Sequence, residues 1–224
     1  MNNFMKTTLN PLFIVFFLFI ALNAFAVKPI VRTDGHRSYF YKPDFANWVY
    51  ILKDKNADVS KVFKMDMGVL SISGESSGYL RTKGVYSNYE LRLEYRWTKV
   101  LANSGVLVHI QPKDTVWPVC YQVQQKADAA GDIICMNGLW AKECKDSVKF
   151  TVPKMKVSNE KPLGEWNRMR IICKGNTMKA YVNDELQNYV TELTVNKGFI
   201  GFQNEGKPLE FRNLFIRKLI GDEK

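Results

Sequence analysis

The sequence predicts an all-β chain folded as a two-sheet antiparallel β-sandwich, and three observations carry that expectation. Short apolar and β-branched runs recur along the chain, many of them alternating with period two. Gly, Asn, Asp and Pro separate the runs, and no long segment has helical spacing. Polar residues line one face of several central strands, which suits a sheet with one solvated side better than a closed barrel.

The runs follow in order. GVLSISG (68–74) and GYLRTKG (78–84) are each bounded by Gly. NYELRLEYRW (88–97) sets Leu91, Leu93 and Tyr95 against Arg92, Glu94 and Arg96. SGVLVHIQ (104–111) sets Val106, Val108 and Ile110 against Leu107, His109 and Gln111. In WPVCYQVQQK (117–126), Cys120, Gln122, Gln124 and Lys126 take one side and Val119, Tyr121 and Val123 the other. GDIICM (131–136) comes next, and residues 168–190 read as a three-strand meander with turns at Lys-Gly-Asn and Asn183-Asp184. GFIGFQ (198–203) and LEFRNLFIRKL (209–219) complete the set.

Residues 1–26 follow the plan of a secretory leader. Lys6 precedes an apolar core from Leu12 to Leu22, and Ala24-Phe25-Ala26 sets the expected cleavage point. A spanning helix needs about 20 apolar residues, more than this run supplies. No Cys follows at the cleavage point, so a lipid anchor is not indicated. The expectation is a secreted or periplasmic protein, 27–224 forming one domain, without stable membrane insertion.

The chain has 32 Lys and Arg against 22 Asp and Glu, and Lys6 is the one charge within the leader, so the remainder carries +9. The cations are scattered and no nucleic-acid module accompanies them, so no nucleic-acid partner is expected. Cys120, Cys135, Cys144 and Cys173 can pair in three ways. The Asn137-Gly138 turn between Cys135 and Cys144 inclines the choice toward that pair. No Cys-x-x-Cys occurs and only His36 and His109 are present, which does not match a zinc site. The acids of DAAGD (128–132) are a calcium candidate without EF-hand spacing, or plain turn residues.

Candidate chemistry lies on the polar face. If position 98 pairs with 105 across the intervening loop, Glu94 lies opposite His109, and matching polar faces bring Gln122 or Gln124 alongside. A carboxylate beside an imidazole raises its pKa and fixes its orientation, giving an acid/base pair. Arg96, Gln124 and Lys126 would hold sugar hydroxyls and Trp117 would stack on a sugar face. The same row also reads as a solvated sheet face with ordinary ion pairs. Neither GESSG nor NSG has the setting of a nucleophile elbow. A paired-carboxylate glycosidase is not indicated, because Glu94 has no certain acidic partner.

GYLRTKGVYSNYELRLEYRW, NSGVLVHIQ, WPVCYQVQQK, GEWNRMRIICKGNTMKAYVND and GFIGFQNEGKPLEFRNLFIRKL, in this order over nearly all of the chain after the leader, resemble the 3-keto-disaccharide hydrolase domain family. These are secreted proteins common in Bacteroidetes. The resemblance implies a concanavalin A-like, laminin-G-like jelly roll of two curved sheets that handles carbohydrate on the concave one. It implies cleavage of 3-keto-glycosides by hydrolysis or elimination and, in some members, a divalent metal. Oxidation at C3 acidifies the C2 proton, so one base and a group polarising the ketone can expel the C1 substituent. On the family's pattern Gln122 falls where Glu is usual, Gln124 keeps the second polar member, and His109 stands where Arg or His follows the Asn-Ser-Gly turn. Gln203, GEWN (164–167) and FRN (211–213) match positions that look structural, and Trp166 reads as core. Glutamine cannot transfer a proton as a carboxylate does. Either catalysis rests on Glu94 and His109, or the chain is a non-catalytic carbohydrate-binding module.

Overall fold

The computed structural model describes residues 37–38 and 45–219. The leader at 1–26 lies outside them. In chain order the strands are β1 (Arg37–Ser38), β2 (Trp48–Leu52), β3 (Phe63–Asp66), β4 (Val69–Ile72), β5 (Gly78–Thr82), β6 (Tyr89–Trp97), β7 (Gly105–Ile110), β8 (Tyr121–Gln124), β9 (Ile133–Cys135), β10 (Thr151–Val152), β11 (Asn167–Lys174), β12 (Thr177–Val182), β13 (Glu185–Val190), β14 (Phe199–Asn204) and β15 (Leu209–Lys218). One helical turn, α1 (Val59–Val62), precedes β3, with the Asp58 carboxylate accepting from Ser60 N at 3.0 Å.

The strands build two antiparallel sheets. One runs β13-β12-β11-β6-β15-β4-β3, with β1 pairing on β15, and the other runs β10-β9-β8-β7-β14-β5-β2. Alternation sets which side of each strand faces the interior. β6 turns Tyr89, Leu91, Leu93, Tyr95 and Trp97 inward, and the facing sheet contributes Val106, Val108, Tyr121, Val123, Ile200 and Phe202, all buried. Phe202 and Phe211 join the sheets with ring centroids 4.9 Å apart.

This layering overturns the juxtaposition of Glu94 with His109. β6 pairs with β11 and β15, and β7 pairs with β8 and β14, so the two strands lie in different sheets. Period-two alternation identifies the core side of a strand but not its neighbour. The apolar rows of β6 and β7 meet across the core instead of side by side.

His109 departs from alternation as well. Between β7 and β14, Leu107 pairs with Gly201 and Ile110 with Phe199, so β7 spends one more residue than its partner. His109 takes φ 53° at this bulge and turns inward, fully buried. Its ring meets Tyr89 and Tyr121 edge-on, at centroid distances of 5.9 and 6.2 Å. Burial lowers its pKa from 6.5 to about 4, against a smaller opposing contribution from a backbone hydrogen bond at Val195. Gly198 accommodates the bulge: a Cβ there would lie 2.3 Å from the His109 carbonyl carbon.

The four cysteines are buried free thiols, and the inclination toward a Cys135–Cys144 bridge finds no bond in this structure. Burial first, and then the neighbouring Cys144, push the Cys135 thiol up to about 12.

Two outcomes follow for stability. Because the folded His109 pKa of about 4 lies below its free value of 6.5, the unfolded chain binds the proton first. The stabilisation is complete above pH 6.5 and fades as pH falls toward 4, by on the order of 3 kcal/mol. Urea unfolding of wild type and His109→Asn, which tolerates the left-handed backbone, should show this acid loss in wild type only; equal losses would contradict it. Gly198→Ala should cost about 1–3 kcal/mol by overpacking, read as a lower urea midpoint at unchanged slope.

Candidate functional site

The segment that follows β7 is tied to the outer face of the seven-stranded sheet. Asp114 of this segment takes a two-pronged ion pair from Arg81 on β5, Nε to Oδ1 at 2.9 Å and Nη2 to Oδ2 at 2.7 Å. On this face Ile51, Tyr79, Leu107, Ile110 and Cys120 form a second, smaller apolar cluster. Beside it lies a hollow of about 260 Å³, lined by Asn103, Trp117, Gln122, Gln124, Ile134, Met136, Gln203 and Glu205. Trp117 is exposed at the hollow, and its carbonyl accepts from Asn137 Nδ2 at 2.8 Å.

Three buried carboxamides form the hollow's polar lining, and their orientation is determined. Gln124 Oε1 accepts from the backbone N–H groups of Gln125 and Lys126, at 3.1 and 3.2 Å. Backbone N–H groups only donate, so this atom is the oxygen. Gln122 therefore presents its nitrogen, which donates to Gln124 Oε1 at 3.0 Å and to Gln203 Oε1 at 3.1 Å. The Nε2 groups of Gln124 and Gln203 are left without a protein partner among the described residues.

Gln122 and Gln203 sit on β8 and β14, with β7 between them. Gly105 of β7 makes their bond possible. A Cβ there would lie 2.5 Å from Gln122 Cγ and 2.6 Å from its Nε2. The Asn-Ser-Gly sequence thus supplies clearance for an amide that crosses over a strand.

Glu205, one residue beyond β14, completes the lining. Asn103 Nδ2 donates to its Oε2 at 2.7 Å. Partial burial raises its pKa above the ordinary carboxylate value, opposed by the Asn103 bond. Asn103 Oδ1 is buried without a partner. Glu205 was absent from the candidates read in the sequence, although alternation through Phe199, Gly201 and Gln203 points to it.

The other candidates fall elsewhere. Glu94 and Arg96 lie on the outer face of the eight-stranded sheet, where Glu94 pairs with Arg212 at 2.6 Å and Arg96 with Glu210 at 2.7 Å. Trp166 is half-buried there instead of in the core, with the guanidinium groups of Arg212 and Arg96 at 4.0 and 4.5 Å from its ring. His109 is in the core. The exposed Lys126 side chain is not in the lining of the hollow, and its contribution is the backbone N–H that holds Gln124. Gln122, Gln124 and Trp117 do come together, and Gln203, expected to be structural, joins them.

A second groove, of about 460 Å³, lies on the eight-stranded sheet with Arg92, Glu94, Arg168, Arg170 and Asp184 among its lining. Its Glu94 and Asp184 carboxylates are engaged by Arg212 and Arg168. The smaller hollow instead presents neutral amide donors, those of Gln124 and Gln203.

A divalent metal does not fit the smaller hollow. Such cations take several oxygen ligands, with carboxylates foremost, whereas the lining offers one carboxylate, Glu205, among neutral amides, and the Gln124 and Gln203 oxygens already accept from Gln122. Among the described residues no three His, Cys, Asp or Glu side chains converge. In DAAGD, Asp132 Oδ1 accepts from Lys154 N at 2.7 Å.

Comparison with solved structures supports the architecture. A protein from Parabacteroides distasonis ATCC 8503, provisionally described as a glycosyl hydrolase, is 26% identical, with a TM-score of 0.57, over 77% of this chain and 99% of its own. The carbohydrate-binding module CBM66 from Bacillus subtilis shares the fold at 11% identity and a TM-score of 0.56, over 77% of this chain and 96% of its own. The β-glucanase of Bacillus licheniformis does so at 13% identity and 0.53, over 84% of this chain and 100% of its own. No curated protein sequence matches. The model of the 3-keto-alpha-glucoside-1,2-lyase-like domain matches residues 35–217, and the chain belongs to that family.

Proposed function

We propose that this is an exported carbohydrate-active protein that binds 3-keto-glycosides in the hollow on the seven-stranded sheet and cleaves them by elimination. The observation carrying this reading is the amide cluster: Gln124 and Gln203 each keep an NH₂ group without a protein partner, beside one carboxylate and an exposed indole. Amides and an aromatic face are the groups that hold sugar hydroxyls and a sugar ring. The volume is small against the about 300–1,000 Å³ of drug-sized ligand sites, which suits a single sugar ring.

The chemistry of the lining favours elimination over ordinary glycoside hydrolysis. Hydrolysis of an unoxidised glycoside ordinarily uses two carboxyl groups about 5–9.5 Å apart. Glu205 is the one carboxylate in the lining. A 3-keto sugar relaxes that demand, because its ketone acidifies C2–H and amide N–H groups can stabilise the developing enolate. The family description, which names a lyase, agrees with this reading. The leader at 1–26 supports export. A second reading, a binding module without turnover, draws on the neutral Gln122 at a position where the family usually has Glu.

Purified protein incubated with 3-keto-glycosides, with and without divalent cations, should release the aglycone and develop enone absorbance. Calorimetric binding without release under every condition would favour the binding module, and no binding would contradict both. Gly105→Ala should weaken binding at least about tenfold by displacing Gln122, a loss of about 1.4 kcal/mol. Gln122→Glu should lower stability by about 1–3 kcal/mol, because it sets a carboxylate against an amide oxygen fixed by backbone N–H groups. If Gln122→Glu instead gained activity absent from wild type, the protein would be a catalyst that has lost its function.

A further inference from the structure

We propose that Glu205 is the proton acceptor of the elimination and that Asn103 is its positioning residue. The inference rests on the lyase reading above and assigns its chemistry to atoms. Asn103 Nδ2 holds Glu205 Oε2 at 2.7 Å, leaving Oε1 as the proton-accepting oxygen. Nothing else in the lining can serve as a carboxylate base, and the nearby Asp114 is spent on Arg81. The partial burial that raises the Glu205 pKa also makes it a stronger base than a solvated carboxylate.

The step balances without an added reactant. Glu205 Oε1 takes the proton from C2, and the C2–H electron pair becomes the second bond between C1 and C2. The C1–O bond breaks, its pair leaving on the departing oxygen, and the Glu205 carboxyl returns the proton to that oxygen. The products are an enone and an alcohol, with no water consumed and no redox change. The Gln124 and Gln203 NH₂ groups are the donors for the C3 ketone oxygen, whose negative charge grows during proton removal.

Two readouts separate this assignment from the lyase reading: aglycone release, and exchange of the C2 proton for deuterium followed by NMR. Glu205→Gln retains an acceptor for Asn103 and should bind a 3-keto-glycoside with wild-type affinity, while exchange and release fall at least about 100-fold. Glu205→Ala should lose both and recover them in proportion to added formate. Asn103→Ala should lower kcat about tenfold with little change in KM, and the acid limb of its rate profile should move to higher pH as the bond to the carboxylate is lost. No other titratable side chain is in the lining. Glu205→Gln turning over within threefold of wild type would overturn the assignment while the lyase reading stands. Wild type that binds the sugar but neither exchanges nor releases would overturn both. Exchange without release, abolished by Glu205→Gln, would keep the base and overturn the elimination.

Discussion

Two backbone N–H groups, those of Gln125 and Lys126, set the polarity of the whole hollow. By donating to Gln124 Oε1 they fix which end of that amide is oxygen. The choice passes to Gln122, which must donate, and through it to Gln203, which must accept. Networks of this kind strengthen when every member is satisfied and are costly when one is not. A row of amides that could point either way is thereby locked into one arrangement, with its remaining N–H groups left for a ligand. Gly105 is the steric counterpart, since any side chain there would occupy the path of Gln122 across β7.

The two outer faces do different work. On the eight-stranded sheet, arginines interlock with carboxylates: Glu90 is engaged by Arg92 and Arg217, Glu94 by Arg212, and Glu210 by Arg96. The partly exposed Glu94 and Glu210 pairs contribute little each, whereas Glu90 is buried and depends on its arginine partners. These pairs let a strongly basic chain cover a sheet without a block of like charge. The seven-stranded sheet is nearly neutral at its hollow, where Glu205 is the one charged residue in the lining. A neutral, amide-rich surface around one carboxylate is suited to an uncharged, hydroxylated ligand.

Much of the architecture was legible. Alternation identified the inward rows of β6 and β8, and that of β7 as far as Val108, beyond which the bulge turns Ile110 outward; it also put Gln122 and Gln124 together on an outer face, where they are found. The neighbour of each strand was not legible, because period two carries no information about which strands pair. That gap placed Glu94 beside His109, whereas the two lie in separate sheets. His109 was misread for a different reason. One extra residue in β7 reverses its side, and the requirement for Gly198 behind it emerges only when the strands are assembled. Glu205 was within reach of the sequence, since it continues the alternation of β14 past Gln203. It was missed because the strand was read only as far as Gln203.

On the proposed function, the sugar sits on the seven-stranded sheet, held by the amide NH₂ groups that the Gln124 bonds leave available. A crystal structure of Glu205→Gln with an uncleaved 3-keto-glycoside tests it most directly. The sugar ring is expected against Trp117, with its ketone oxygen within hydrogen-bond distance of Gln124 or Gln203 Nε2. A sugar found instead in the groove beside Glu94 and Arg168 would contradict it.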